Sequence, residues 1–221
     1  MSDYTGGKPK FGIEKPLVIP WATDKLIDMQ NSGRWIAELK IDEDRGFICT
    51  DAQGKPSYYS HRNDSPTTMT GKVFDGVVLP PLSVFDGGHV YSKDLNRESR
   101  IYLFDVLVIE GQKLHMTFEE RTALLRRTVT PSRHIWLSWQ SKNFIQDFRN
   151  LLNGQYQLIE EVAKLWGIPV PFLKKITEGF VIKNLDSKPA FPAGKIAETP
   201  ASFKLRINDV LPSQRTWLKP V

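Results

Sequence analysis

A lysine stands between two acidic residues near the end of the first clear strand pattern of the chain. In the segment Glu38-Leu-Lys40-Ile-Asp42, the alternation of a β-strand places all three charged side chains on one face. A lysine attacks an electrophile only as the neutral amine, and a reference pKa of about 10.4 leaves roughly one amine in a thousand neutral near pH 7.4. Burial or neighbouring cations must therefore activate such a group. The segment predicts either a nucleophilic amine or an ordinary solvated charge.

Three later segments combine polar residues with short apolar strands. Glu178 and Lys183 flank an apolar stretch, while Lys204 and Arg206 share one face of a strand near the C-terminus. Two adjacent cations suit the oxygens of a phosphate group. The third segment, Tyr102-Leu-Phe-Asp, is typical of a buried strand, whose aromatic side chains belong either to the core or to a surface that stacks on a ligand. Each segment alone is a weak signal.

Taken together and in order, these segments resemble the ATP-dependent DNA ligases, within the covalent nucleotidyltransferase superfamily that also contains RNA ligases and mRNA capping enzymes. The resemblance covers about residues 20–207. The matching segments, each followed by the motif it resembles, are Lys40-Ile-Asp42-x-x-Arg45 (K-x-D-G-x-R), Ser60-His-Arg62-Asn63 (S-R-N-G), Asp86-Gly-Gly88-His-Val90 (D-G-E-L/V), Tyr102–Leu107 (an aromatic-Asp strand), Glu178–Lys183 (E-G-x-V-x-K) and Lys204-Leu-Arg206 (K-x-K).

The resemblance implies that ATP is the adenylate donor and that Lys40 is the catalytic nucleophile. The neutral amine of Lys40 would attack the α-phosphorus and form a lysyl-AMP phosphoramidate. Phe104 would stack on the adenine, and Glu38 would accept a hydrogen bond from its amino group. One residue near the ribose and three cations around the phosphates complete the implied nucleotide contacts, and these are Arg45, Lys183, Lys204 and Arg206.

The resemblance also implies a metal ion and a nucleic-acid partner. Glu178, together with Asp42, would hold Mg²⁺, a hard cation that prefers carboxylate oxygens. The AMP would pass to a 5′-phosphate end in nicked duplex DNA, and a 3′-hydroxyl would then displace it and seal the strand. Arg62 is the expected contact to that 5′-phosphate. An RNA ligase of the same superfamily and a catalytically silent nucleic-acid-binding relative are the alternatives, and the stretch Gly111–Leu125 favours the DNA ligases.

Two positions depart from the motifs. Glu43 stands where the family keeps a glycine, and Gly88 stands where the family has a glutamate that contacts the ribose. A carboxylate near the ATP phosphates is expected to be mildly unfavourable for anion binding at position 43, through like-charge repulsion. The carboxylate missing at position 88 could come either from Asp86 or from Glu43.

Composition restricts the class of protein. The 221 residues contain 40% hydrophobic and 25% charged residues, which excludes wholesale disorder. No apolar run could span a bilayer, no apolar leader begins the chain, and the single Cys49 excludes an internal disulfide. A net charge of +5 is compatible with a nucleic-acid partner. These features predict a cytoplasmic protein without a membrane partner, in the host cytoplasm if the protein is viral.

The order of elements predicts an α+β fold, because strands dominate early, helices follow and strands return. We expect a nucleotidyltransferase domain, the ATP-grasp-like adenylation domain of ligases, with two packed antiparallel sheets flanked by helices. The predicted boundaries are an extended lead-in over residues 1–20, the domain over 21–210 and a tail over 211–221. Val73–Leu79 is a predicted strand, and Glu119, Glu120 and Arg121 are predicted to form a solvated first helical turn.

The length of the chain adds two expectations. Only fifteen residues follow Arg206, and a domain needs at least roughly 50. We therefore expect no OB-fold domain in this chain, and a protein partner could take its place. A ligase of this compact kind suggests a phage or viral origin.

Overall fold

A computed structural model describes residues 4–69, 73–92, 95, 98–193 and 196–214, and parts of the predicted lead-in and tail lie outside these residues. Within them the chain forms an α+β fold with two sheets, as the sequence predicts. In chain order the elements are β1 (Ile13–Val18), α1 (Asp24–Asn31), β2 (Trp35–Ile41), β3 (Asp44–Thr50), β4 (Pro56–Ser60), β5 (Val84–Tyr91), β6 (Ser99–Ile109), β7 (Gln112–Lys113), α2 (Phe118–Thr128), β8 (Ile135–Leu137), β9 (Gln140–Ser141), α3 (Phe144–Leu152), α4 (Gln157–Trp166), α5 (Val170–Ile176), β10 (Thr177–Asn184) and β11 (Ile196–Arg206).

The chain divides into two compact units. Unit 1 comprises Met1–Lys15, Glu43–Ser138 and Lys188–Ala197, and unit 2 comprises Pro16–Asp42, Trp139–Ser187 and Glu198–Val221. Strand β1 forms within the stretch for which the sequence predicts only an extended lead-in. No helix in the described part of the chain is long and apolar enough to cross a membrane.

Unit 1 is built on a sheet with the strand order β4-β3-β5-β6-β7, in which β8 pairs in parallel with β6. Both faces of this sheet are covered. Ile48 and Phe85 pack in a cluster with Leu125 of α2 on one face, and Phe47 packs with residues of the N-terminal segment on the other. Cys49 belongs to the second cluster, and burial raises the pKa of its thiol to about 12.

Helix α2 begins at a capping box formed by Thr117 and Glu120. The Thr117 side chain accepts from the backbone N–H of Glu120, and the Glu120 carboxylate accepts from the backbone N–H of Thr117. The prediction of a solvated first turn is wrong for Arg121, which is only 3% exposed. Its guanidinium donates to both oxygens of Asp105, at 2.9 and 2.8 Å, and to the carbonyl of Met116. Helix α2 is therefore held to β6 by a buried ion pair.

The predicted strand at Val73–Leu79 is wrong, because this segment is a turn. The N–H of Val77 donates to the carbonyl of Phe74 at 3.1 Å, and Gly76 has a φ of +70°. Glycine is the residue that adopts a positive φ without steric cost, so Asp75-Gly76 favours a turn over a strand. Val73 and Leu79 are buried all the same. The apolar pattern was therefore a signal of core packing and not of a β-strand.

Unit 2 contains the strands β2, β10 and β11 as neighbours in a sheet of order β1-β11-β10-β2-β9, together with α1, α3, α4 and α5. One face of these strands is apolar. Phe180 of β10 lies 5.7 Å from the ring of Phe148 on α3 and 6.2 Å from the ring of Trp139. Helix α4 ends at Trp166, and Gly167 follows it in the left-handed conformation that commonly ends a helix.

We expect the Arg121→Ala variant to lose about 3–5 kcal/mol of unfolding free energy, because it leaves the buried Asp105 carboxylate without its cation. Urea denaturation of the purified protein measures this loss. Arg127→Ala, at an exposed position of the same helix, is the matched control and should change stability by no more than about 0.5 kcal/mol. Equal effects of the two substitutions would contradict a structural role of the Arg121–Asp105 pair.

Candidate functional site

The pairing of three strands in unit 2 arranges the predicted phosphate-binding residues in rows. Lys40 of β2 lies opposite Gly179 of β10, which lies opposite Arg206 of β11. In the next row, Glu38 lies opposite Val181, and Val181 lies opposite Lys204. Residues that are directly paired point to the same side of a sheet.

The two faces of these strands therefore differ completely in chemistry. Alternation adds Lys183 to the face of the two rows, and it places the buried side chains of Leu39, Phe180, Ile182 and Leu205 on the other face. We call the first face the Lys40 face, and its charged residues are Glu38, Lys40, Lys183, Lys204 and Arg206. The register of the three strands places these five residues on one side of the sheet, and their roles in binding ATP stay predictions.

Glu178 reaches Lys40 because β10 carries a bulge. The register shifts between Thr177, which pairs with Ile41, and Gly179, which pairs with Lys40, so Glu178 is the extra residue. Such bulges often redirect a side chain next to a functional site. Gly179 has a φ of +141°, and a Cβ atom there would overlap the carbonyl oxygen of Leu205 on β11. Glycine at this position is therefore required both by the backbone conformation and by the close approach of β11.

Two ion pairs lie on the Lys40 face. The ammonium of Lys40 donates to Oε2 of Glu178, and the side chains of these residues are 21% and 35% exposed. The ammonium of Lys183 lies 2.6 Å from Oε2 of Glu38. Glu38 also accepts from the amide of Gln140, at 3.0 Å, and is almost completely buried. The buried carboxylate of Glu38 is thus compensated by one cation and one amide donor.

Gln140 is a contributor that the sequence did not reveal. It lies on the two-residue strand β9, directly opposite Glu38 on β2. A strand of two residues is too short to show the alternation of polar and apolar side chains that identifies a β-strand. Gln140 also lies about one hundred positions after Glu38 in the chain. No local signal could have identified this contact.

Glu178 fits the predicted role of a Mg²⁺ ligand better than Asp42 does. Its partly exposed carboxylate supplies the hard oxygen donors that Mg²⁺ prefers, whereas Asp42 is exposed and its described contact is a backbone hydrogen bond to the carbonyl of Ile176. Among the described residues, no three carboxylate, imidazole or thiol groups cluster as a metal cage. Mg²⁺ in enzymes that act on phosphates is usually held by one or two carboxylates and by the substrate.

Unit 1 places Arg45 at the centre of a second group of residues. Its guanidinium donates to both oxygens of Asp86, at 3.2 and 2.6 Å, and lies 5.2 Å from the centre of the Phe104 ring. Burial alone would lower the pKa of Arg45, but the carboxylates of Asp86 and Glu43 raise it above its usual value. Phe104 is the extra residue of a bulge, since Asp86 pairs with Asp105 while Gly87 pairs with Leu103. The structure thus brings Arg45 and Phe104 together, and their roles in binding a nucleotide stay predictions.

Arg62 belongs neither to the Lys40 face nor to the group of residues around Arg45. It is exposed in the turn after β4, where its backbone N–H lies 3.4 Å from the hydroxyl of Ser60. An exposed arginine beside a turn is compatible with a contact to a nucleic-acid phosphate. That role stays a prediction.

The two departures from the motifs lie against each other in unit 1. A Cβ atom at Gly88 would overlap Oε2 of Glu43 and would lie 2.6 Å from its Cδ. The carboxylate of Glu43 thus occupies the space that a side chain at position 88 would need. Because Glu43 and Gly88 are far apart in the chain, the sequence could not show that one departure accommodates the other.

Comparison with solved structures shows what this fold resembles. The ligase domain of LigD from M. tuberculosis matches with a TM-score of 0.55 at 15% identity, over 89% of this chain and 59% of that one. A Lig E DNA ligase matches with a TM-score of 0.50 at 14% identity, over 88% and 69%. An archaeal ATP-dependent RNA ligase matches with a TM-score of 0.50 at 13% identity, over 90% and 48%. The chain has the fold of ligase domains.

The comparisons at the level of sequence give no match. No family profile matches the chain, and no curated protein sequence is significantly similar to it. The chain also spans only 59% of the length of the LigD ligase domain. The chain therefore resembles these ligase structures in fold and not detectably in sequence.

We expect Gly179→Ala to destabilise the protein more than Gly154→Ala does. Both glycines lie in unit 2 and have a positive φ, but alanine at position 154 would meet only the ring edge of Tyr156, at 3.9 Å. Alanine at position 179 would also collide with the backbone of β11, and overpacking of this kind costs about 1–3 kcal/mol. Urea denaturation of the two variants measures the difference. Equal stabilities would show that the approach of β11 at Gly179 is not a constraint.

Proposed function

We propose that the protein is an ATP-dependent polynucleotide ligase that seals 5′-phosphate/3′-hydroxyl nicks in DNA through a lysyl-AMP intermediate on Lys40. The observation that supports it most is the geometry of the Lys40 face. A partly exposed lysine is paired with the carboxylate of Glu178, and it shares its side of the sheet with further cations. Cations beside a lysine favour its neutral, nucleophilic form and attract a polyphosphate. The ligase fold is consistent with the proposal.

The first step is the transfer of AMP from ATP to Lys40. Lys40 donates to Glu178, so it must leave this contact and lose a proton to solvent before it can attack. The nitrogen then forms a bond to the α-phosphorus, the bond from that phosphorus to the bridging oxygen breaks, and pyrophosphate leaves. Lys183, Lys204 and Arg206 would stabilise the charge on the phosphate oxygens. Mg²⁺, held by Glu178, would supply further neutralisation of the phosphates when bound.

The second and third steps join the strands. The 5′-phosphate of a nick attacks the phosphorus of the lysyl-AMP, the nitrogen–phosphorus bond breaks, and the adenylate becomes attached to the DNA end. The 3′-hydroxyl then attacks the 5′-phosphate, a phosphodiester forms and AMP leaves. We assign the contact to the 5′-phosphate to Arg62, because it is an exposed cation that follows His61, whose backbone N–H donates to the carbonyl of Arg45.

An RNA ligase is the second candidate, and the likeness to an archaeal RNA ligase favours it. Both enzymes would share the lysyl-AMP and differ in the strands that they accept. We expect more complete sealing of a nick between DNA strands than of the same nick between RNA strands. Incubation of the adenylated protein with nicked DNA, RNA and hybrid duplexes, followed by denaturing gel electrophoresis of the joined strand, measures this preference. Sealing of the RNA duplex alone would replace the first candidate with the second.

We expect incubation with α-labelled ATP and Mg²⁺ to label the wild-type protein covalently and to leave both Lys40→Ala and Lys40→Arg unlabelled. A guanidinium stays protonated and cannot attack, so retention of positive charge should not restore the reaction. Gel electrophoresis after denaturation measures the label. Lys164→Ala, at an exposed site on α4, should label normally, and removal of Mg²⁺ with EDTA should stop labelling. Wild-type labelling of Lys40→Ala would remove this residue from the mechanism.

A further inference from the structure

We propose that residues 4–13, which we call the N-terminal segment, form one wall of a cavity in unit 1 that binds one unpaired nucleotide of a nucleic-acid strand. Lys10 contacts the phosphate of that nucleotide, and Lys8 fixes the wall in place. The inference goes beyond the proposed function, because it assigns no part of ATP and no reacting group of a nick. It is carried by the packing, the volume and the charge of the cavity.

The N-terminal segment is a packed part of unit 1. Near its start the backbone N–H of Tyr4 donates to the carbonyl of Gly111 at 3.0 Å, and near its end the backbone N–H of Gly12 donates to the carbonyl of Pro192 at 2.8 Å. The side chains of Tyr4 and Phe11 are buried in one apolar cluster. The stretch between these two anchors is therefore fixed on both sides.

A lysine ties this stretch to the turn after β4. The ammonium of Lys8 donates to the carbonyl of Asn63 at 2.7 Å and to Oδ1 of Asp64 at 3.0 Å. The Lys8 side chain is only 17% exposed, whereas that of Asp64 is 84% exposed. The stem of Lys8 is thus packed, and its charge is balanced by a carboxylate at the surface. Lys8 is a positioning residue for the wall of the cavity.

The N-terminal segment and this turn line a cavity of about 320 Å³. Phe11 and Phe47 line it with buried side chains, whereas Lys10, Asp64 and Ala193 line it from exposed positions. The cavity is therefore open to solvent on the side of its charged residues. Ligand pockets measure about 300–1,000 Å³. A cavity at the lower end of this range suits a single nucleotide.

The cavity is separate from both groups of predicted nucleotide-binding residues. Its described lining residues include no member of the Lys40 face and neither Arg45 nor Phe104. It adjoins the second group through His61, whose Nδ1 donates to the carbonyl of Arg45 at 2.8 Å. Because Nδ1 is used in this way, Nε2 is the ring nitrogen left for a ligand. His61 also precedes Arg62, to which we assign the 5′-phosphate.

The lining combines an apolar surface with one surplus cation. Six of its ten described residues, among them Phe11 and Phe47, are apolar or glycine. The carboxylate of Asp64 balances Lys8, so the exposed Lys10 is the remaining lysine of the lining. Proteins that bind single strands pair such a cation with apolar or aromatic side chains on which a base packs. These groups recognise a phosphate that carries an aromatic base.

The charge favours a strand over a free nucleotide. A terminal phosphate carries nearly two negative charges at neutral pH, and ATP carries more, whereas each phosphodiester of a strand carries one. One surplus cation, Lys10, matches a phosphodiester. The cavity admits a base only if the base is unpaired, since a base within a duplex must first leave its stack at a cost in free energy. A single strand or an overhang avoids this cost.

The test measures nucleic-acid binding in the Lys40→Ala background, which excludes turnover. Fluorescence anisotropy gives the affinity for a labelled single strand and for a fully paired duplex over a series of salt concentrations. We expect Lys10→Ala to reduce the slope of log affinity against log salt for the single strand by about 0.7, the value for one phosphate. This corresponds to about fivefold weaker binding at 0.1 M salt. Lys55→Ala, at an exposed position of the same unit, is the matched control.

Ala193→Trp tests whether the nucleotide enters the cavity. Ala193 lines the cavity from an exposed position, so a large side chain there fills the space without entering the core. We expect single-strand binding to weaken about fivefold or more, because the phosphate contact is lost with the base. Duplex binding should not change. Ala52→Trp, at an exposed turn of unit 1, is the control for added bulk.

The double variant Lys10→Ala/Ala193→Trp tests whether the two residues act on one nucleotide. It should bind a single strand no more weakly than Ala193→Trp alone, because effects on one shared contact do not add. Additive losses would contradict a common site. Equal losses for the single strand and the duplex would make Lys10 a general surface charge. Calorimetry that finds weaker ATP binding in both variants, with single-strand binding unchanged, would assign the cavity to a free nucleotide.

This inference and the proposed function can fail separately. Strand binding is measured without adenylation, so a protein that ATP does not label can still bind a strand through Lys10. A labelled protein whose strand binding is unaffected by either variant would keep the ligase proposal and refute the cavity. Urea denaturation of each variant separates a loss of binding from a loss of folding. The comparison of single strand with duplex in Lys10→Ala decides the question even if Ala193→Trp does not fold.

Discussion

The close approach of β10 to β11 at Gly179 is the constraint on which the Lys40 face depends. The backbone of β10 can take its φ of +141° and lie against Leu205 only because no side chain stands at this position. That conformation accompanies the bulge, and the bulge turns Glu178 towards Lys40. In a regular strand Glu178 would alternate with Gly179 and would point to the apolar face. Gly179, which has no reactive side chain, thus determines that Lys40 pairs with the carboxylate of Glu178.

Bulges recur at the positions that the sequence singled out. Glu178 in unit 2 and Phe104 in unit 1 are both extra residues that interrupt the pairing of their strands. Regular alternation keeps polar and apolar side chains on separate faces, and it therefore limits which residues can meet. One extra residue removes this limit locally while the rest of the strand keeps its register. Each unit uses this device once at a residue for which we predict a role.

Local patterns predicted the helices and most of the longer strands, because the apolar spacing of α3 and α4 and the capping box of α2 are properties of neighbouring residues. The order of charged segments likewise identified the residues of the Lys40 face. Features set by distant partners could not be predicted. The short strands β8 and β9, the ion pair of Arg121 and the contact of Glu43 with Gly88 all depend on residues far away in the chain. The segment Val73–Leu79 was predicted wrongly for a different reason. Its apolar residues face the core from a turn, and an apolar pattern alone does not distinguish a turn of this kind from a strand.

The burial of Cys49 has a practical consequence for spectroscopy. It is the single cysteine of the chain, it is 2% exposed, and its thiol has a pKa of about 12. Thiol reagents react with the thiolate, so this side chain is inert in the folded protein. A cysteine introduced on the surface of either unit could therefore carry a fluorophore or spin label by itself, with the native thiol left in place. Such a label would then report on the addition of a nucleotide or a nicked duplex.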